Sequence, residues 1–84
     1  KYNNFYDLIL TQGRTRGRRV ALFVGDTKIR YKELLRRVDL FAGFLQSRGI
    51  GKEDKVALFL RNSSEFVVTL LALSKLGAIS VPIN

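Results

Sequence analysis

Between Asp54 and Asn84 the chain runs through an apolar stretch, a well-marked helix and a second apolar stretch, an order that very few folds accommodate. Val56-Ala57-Leu58-Phe59-Leu60 contains no polar residue, as expected of a strand covered on both faces in a parallel sheet. Asn62 can accept from the first turn of the following helix, and Glu65, three residues on, can reach back as in a capping box. Phe66 to Leu76 is then almost wholly apolar, and Gly77 marks its end. Ala78 to Ile83 resumes strand character, with Pro82 suited to an edge or an exit. Strand, helix, strand predicts a βαβ unit with parallel strands and a right-handed crossover.

The upstream half supplies the rest of an α/β fold. Asn3 or Asn4 can cap a short amphipathic helix that turns Phe5, Leu8 and Ile9 to one side and ends near Gly13. Thr11 to Arg19 then reads as a loop rich in Gly and Arg. Val20–Val24 and Thr27–Arg30 flank Gly25-Asp26, which suits the two-residue loop of a type II′ hairpin with Gly at positive φ. From Tyr31 to Arg48, Leu34, Val38, Phe41, Ala42 and Leu45 recur at helical spacing, with Gly49 placed to end that helix. The expected order is N-terminal helix, β-hairpin, then helix–strand–helix–strand, with residues 1–84 as a single partial domain. Lys1 is not an initiator methionine, no signal-peptide core follows it, and the final strand has nothing to cover it. These features lead us to expect a piece of a longer chain.

Composition narrows the chemistry. A chain of 84 residues buries only about 60% of its unfolded surface, yet 46% hydrophobic residues are too many for disorder. With no cysteine and no histidine, disulfides, thiolate nucleophiles, Cys/His zinc sites and imidazole acid–base chemistry are excluded. The lack of cysteine is compatible with a cytoplasmic location. The longest apolar run, Phe66 to Leu73, is interrupted by Thr69 and falls short of the roughly 20 residues that a membrane span needs.

Ile29-Arg30-Tyr31-Lys32-Glu33-Leu34, Gly49-Ile50 through Asp54-Lys55-Val56-Ala57-Leu58, Arg61-Asn62-Ser63-Ser64-Glu65, Lys75-Leu76-Gly77-Ala78 and Val81-Pro82-Ile83-Asn84 follow one another in a telling order. Together they resemble the N-terminal part of the adenylate-forming (AMP-binding) enzymes, in particular the acyl-CoA synthetases and long-chain fatty acid–CoA ligases, from about Phe5 onward. Two departures stand out: Arg30 where the family usually has a Thr or Ser cap, and Ser64 where a Pro is common. Loss of the cap at Arg30 is expected to fray the helix start, at about 1 kcal/mol. For a complete enzyme the resemblance implies ATP-dependent conversion of a carboxylic acid to an acyl adenylate with release of pyrophosphate, then transfer to a thiol such as coenzyme A. ATP, magnesium and coenzyme A are therefore implied cofactors of the complete enzyme and not of this segment. The family's phosphate loop, its adenine and magnesium segments and its catalytic Lys fall after Asn84. No catalytic, cofactor-binding or metal-binding residue is assigned within 1–84, and the expected partner is the remainder of the same enzyme chain.

Other features favour ordinary roles. Gly49-Ile50-Gly51-Lys52 lacks the earlier Gly, the following Ser or Thr and the preceding strand of a Walker loop, so it reads as a helix end and turn. Glu33 with Arg36 and Arg37 reads as a surface ion pair, Asp26 belongs to a turn, and Asp39 and Glu65 have no second carboxylate at helical spacing. Phe66, Val67, Leu70, Leu71 and Leu73 read as core and not as an acyl pocket. Fifteen Lys and Arg against seven acids give a net charge of +8, part of it in Arg14, Arg16, Arg18 and Arg19. A solvated basic loop is the expectation there, with peripheral contact to anionic lipid or to coenzyme A phosphates as a second reading. Nucleic-acid binding is not expected, because the aromatic residues sit at core-periodic positions. The alternative to the ligase scaffold is a small basic nucleic-acid-binding or interaction module.

Overall fold

A computed structural model describes residues 4–59 and 63–83. Seven elements follow in chain order: α1 (Phe5–Arg16), β1 (Val20–Val24), β2 (Thr27–Arg30), α2 (Tyr31–Ser47), β3 (Lys55–Leu58), α3 (Ser64–Leu76) and β4 (Ile79–Pro82). β1 and β2 form an antiparallel hairpin, and β3 and β4 pair side by side in parallel, Lys55 opposite Ile79 through Leu58 opposite Pro82. The βαβ unit read from the sequence is thus present, as is the α/β order. Leu60, Arg61, Asn62, Asn3 and Asn84 lie outside the described residues, so the expected cap at Asn62 and the end of the third strand at Leu60 are not observed directly.

The core lies where α2 crosses α3. Leu34 and Val38 of α2 and Leu71, Ala72 and Leu73 of α3 are almost completely buried, joined by Ile29 from the hairpin, Leu58 from β3 and Tyr6 from α1. Each such leucine contributes roughly 1.5–3 kcal/mol relative to exposure. Phe66, Val67 and Leu70 pack around this centre half-buried. Thr69, the one buried polar residue among those described, donates its hydroxyl to the Glu65 carbonyl at 2.7 Å and so carries no unmet group.

Helix ends follow local chemistry. Ser63, extended at φ −159°, accepts from the Phe66 N–H at 3.2 Å and caps α3, one residue after the position expected. Gly77 ends α3 at φ +75°, and Gly49 follows α2 at φ +88°, both left-handed as a terminating glycine permits. Gly25 takes φ +59° while Asp26 does not turn positive, as a type II′ turn requires. Arg30 makes no side-chain cap on α2, as its side chain dictates. The helix start is nevertheless held, because the Tyr31 N–H donates to the Arg19 carbonyl and the Lys32 N–H to the Gly17 carbonyl, each at 3.0 Å. Backbone from the α1–β1 connection replaces the missing Thr or Ser.

The first helix departs from expectation in length and in face. It continues through Gly13 to Arg16, so most of the anticipated loop is helical. At Gly13 α1 comes close to α2: a Cβ at this position would lie 2.3 Å from Leu35 Cδ1, the movable end of that side chain. The inward side carries Tyr6, Ile9 and Leu10, whereas Phe5 is exposed. Asn4 caps it, accepting from the Asp7 N–H at 2.9 Å, and its amide donates to the Ser74 carbonyl, tying α1 to the last turn of α3.

Candidate functional site

The parallel strands determine what this fold offers to a partner. Strand side chains alternate, and paired residues in adjacent strands share a face. Val56 and Leu58 turn toward α3, and Leu58 is buried. Ala57 and Phe59 therefore turn away, together with Ile79, Val81 and Ile83 opposite and beyond them. Lys55, opposite Ile79, shares this side, and all six outward residues are exposed, Phe59 to 72%. The ladder extends past the strand proper, since the Ile83 N–H donates to the Leu58 carbonyl at 2.8 Å. The expectation of a strand covered on both faces is thus corrected: α3 covers one face, and no described element lies over the other.

Glu33 and Asp39 are engaged in structural ion pairs. Glu33 accepts from Arg36 Nε and Nη2 at 2.9 and 2.7 Å and from Arg37 Nε at 2.9 Å, and these hydrogen bonds hold its carboxyl down to about 2. Asp39, lacking a carboxylate partner, instead accepts from Lys75 Nζ at 2.6 Å and from the Tyr6 hydroxyl at 3.2 Å, linking all three helices. Lys75 also lies 5.3 Å from the centre of the Tyr6 ring. The hydrogen bond to Asp39 raises the Lys75 pKa, and burial, followed by the Asp39 charge, raises that of Tyr6. This network was missed in the sequence, where its members stand 33 and 36 residues apart.

Among the described residues, the clefts below bring together no catalytic constellation. The one between α2 and α3, about 300 Å³, is walled by Phe41 and Val68 and rimmed by Arg37, Ser64, Glu65 and Thr69. Its single carboxylate has no acid–base partner, and its one cation is engaged by Glu33. Gly51 and Lys52 lie in the turn before β3, where the Gly51 N–H donates to Asp54 Oδ2 at 2.8 Å, so the Walker-like tetrapeptide is a helix end. Asp26 sits at the hairpin tip. Arg14 and Arg16 belong to the last turn of α1, and Arg18 and Arg19 to the connection after it. Among the described residues no group of three or more Asp or Glu could hold a metal ion, and no helix is long and apolar enough to cross a membrane.

This α/β arrangement of hairpin and βαβ unit is shared with part of the solved N-terminal subdomains of adenylate-forming enzymes. The chain belongs to the AMP-binding enzyme family, whose model matches residues 10–84. It is 41% identical over 66 residues to a medium/long-chain-fatty-acid–CoA/3-oxocholest-4-en-26-oate–CoA ligase of Mycobacterium marinum, covering 79% of this chain and 12% of that protein. It is 37% identical over 82 residues to malformin synthetase of Aspergillus tubingensis, covering 95% of this chain and 2% of the synthetase. Among solved structures, the N-terminal subdomain of NpsA from Klebsiella oxytoca, in complex with 3-hydroxyanthranilyl-AMSN, superposes with a TM-score of 0.94 at 33% identity, covering all of this chain and 22% of that one. The chain thus spans about an eighth or less of the curated relatives it matches.

Proposed function

We propose that this chain is the scaffold portion of an ATP-dependent carboxylate-activating ligase, and that the complete protein forms an acyl adenylate and passes the acyl group to coenzyme A. Family membership supports the adenylation step, and the mycobacterial relative, named for fatty-acid and sterol-acid CoA ligation, supports the acceptor. In that reaction a carboxylate oxygen bonds to the α-phosphorus of ATP as pyrophosphate leaves, and the thiol then takes the acyl carbon as AMP leaves. ATP and magnesium would be held by other parts of the complete protein.

The observation that carries the scaffold role is the outward face of Ala57, Phe59, Ile79, Val81 and Ile83. A contiguous apolar sheet face of this kind marks a surface built to be covered. It is the seat we assign to the remainder of the complete protein, the partner expected from sequence. ATP–pyrophosphate exchange by the complete protein, assayed across fatty, aryl and amino acids, should show exchange with a fatty or sterol-type acid. Residues 1–84 alone should show none, and exchange by this segment would overturn the scaffold reading. Val81→Asp in the complete protein should abolish exchange by placing a charge in that seam.

A further inference from the structure

The scaffold role leaves one face of α2 unused. Beside the buried Leu34, Val38, Ala42 and Leu45 runs a second stripe at spacings of three and four, Leu40, Phe41 and Phe44, entered from Arg37 and left at Arg48. Leu40 is 64% and Phe44 50% exposed, and the half-buried Phe41 ring stacks on Phe44 with centroids 5.9 Å apart. Phe41 also walls the cleft between α2 and α3, so the stripe continues into that cleft. A contiguous apolar surface of this kind marks a contact. It is distinct from the seat assigned above to the remainder of the protein, because that seat is the side of the sheet turned away from α3, whereas α2 packs on α3.

The ends of the stripe carry opposite charges. At one end Glu65, in the first turn of α3, borders the cleft and has no cationic partner among the described residues. At the other, the Arg48 guanidinium lies 5.2 Å from the centre of the Phe44 ring and has no acidic partner among them. The charges in between, Glu33, Arg36 and Arg37, are bonded to one another. Arg37, which shares the cleft with Glu65, stands about 16 Å along the helix from Arg48. A surface apolar in the middle, acidic at one end and basic at the other is complementary to itself when rotated by a half-turn, as an isologous contact requires. A half-turn centred near Ala42 and Gly43 sets Phe44 against Leu40 and Phe41 of the second copy, and Arg48 against its Glu65. A partner of uniform negative charge, whether an acidic helix, a polynucleotide or an anionic bilayer, would gain at Arg48 and be opposed at Glu65.

We propose that this face of α2 is a self-association surface, through which two copies of the complete protein pair about a two-fold axis with their α2 helices antiparallel. Leu40, Phe41 and Phe44 with the stems of Arg37 and Arg48 bury about 800–1,000 Å² in total on pairing, at the small end of specific interfaces, so the dimer is weak and forms as concentration rises. The inference is independent of the ligase reading, because it concerns which surface meets a second copy and not what the protein turns over.

The test is sedimentation equilibrium of the complete protein from low to high micromolar concentration, over which wild type should pass from monomer toward dimer. Leu40→Ser/Phe44→Ser should weaken association about tenfold or more. Phe23→Ser removes a comparably exposed aromatic ring from the hairpin and should leave association near wild type. Arg48→Glu and Glu65→Arg should each weaken it about fivefold or more by setting like charges together. An equimolar mixture of those two single variants should associate more tightly than either alone, since both charged contacts are then between opposite signs. That rescue is particular to a second copy turned through a half-turn. A protein that stays monomeric throughout would overturn the proposal, as would equal loss in Phe23→Ser and Leu40→Ser/Phe44→Ser, or a mixture that associates no better than its components. Pyrophosphate exchange by each variant reports separately on folding and on the ligase reading.

Discussion

Asp39 joins three helices through one carboxylate, and its replacement should show how much that junction is worth. Its partners are Lys75 Nζ at 2.6 Å and the Tyr6 hydroxyl at 3.2 Å. The Lys75 and Asp39 side chains are 36% and 53% exposed, which places the ion pair in the solvent-screened regime of roughly 0.2–1 kcal/mol despite its short distance. Asp39→Asn removes the charge but leaves an oxygen for Tyr6, so a loss of about 0.5 kcal/mol is expected, or about 2–4 °C in Tm for a chain this size. Asp39→Ala also strands the hydroxyl of Tyr6, which is mostly buried, and should cost about 1–2 kcal/mol. Urea unfolding of Asp39→Asn, Lys75→Gln and the double variant should give a coupling of about 0.2–1 kcal/mol that shrinks with salt. The Lys75 and Tyr6 pKa values are both raised, so their contributions are fully present below the ordinary values of 10.5 and 10.0 and fade as pH climbs past them. Wild type should therefore lose more stability than Asp39→Asn above pH 10. Zero coupling together with equal losses for Asn and Ala would refute the network, and a coupling well above about 2 kcal/mol would refute its assignment to the surface regime.

Three other outcomes follow from the same coordinates. Leu71→Ala empties a fully buried site between α2 and α3 and should cost about 2–5 kcal/mol in urea unfolding, enough to leave so short a chain largely unfolded. Gly77→Ala meets no clash, its nearest neighbour being Lys52 Cγ at 3.5 Å, so its cost of about 1–2 kcal/mol should come from the left-handed backbone alone, read as a lower Tm with an unchanged m-value. The Glu33 carboxyl should titrate near 2 by NMR, lending its stabilisation above the ordinary carboxylate range and surrendering it as pH falls through about 2. Arg36→Gln/Arg37→Gln should return that titration toward the usual value.

The elements were readable wherever the signal was local. Helical spacing marked Leu34, Val38, Ala42 and Leu45, and all four are buried in α2. Gly25, Gly49 and Gly77 each stand where the backbone turns left-handed, and each was legible as a turn or a stop. What was misread depended on distant partners. Gly13 and the arginines after it resemble a loop until Leu35 of α2 is seen to pack against the helix there. Asn62 and Ser63 are both good caps, and only geometry distinguishes them. An apolar run such as Val56–Leu60 looks the same whether its second face is covered by this segment or by another, so the exposed side of the sheet was hidden behind an expectation of full coverage. The basic run was half legible: composition showed the charge, but the helical course of Arg14 and Arg16 emerged only with the fold.

Glu53, at φ +69°, is the one non-glycine residue among those described with a positive φ, and its N–H donates to the carbonyl of Gly77, itself left-handed, at 2.8 Å. Two sharp reversals are thus bolted together immediately before the strands they launch, and the Ile79 N–H fastens to the Asp54 carbonyl at 2.7 Å directly after. Because neighbouring side chains point opposite ways, sliding β4 by a single position would sink Ile79 and Val81 and lift Ser80 into their place. The bolt therefore acts as a phase setting: it holds the register in which grease and not hydroxyl is what this sheet shows to the outside.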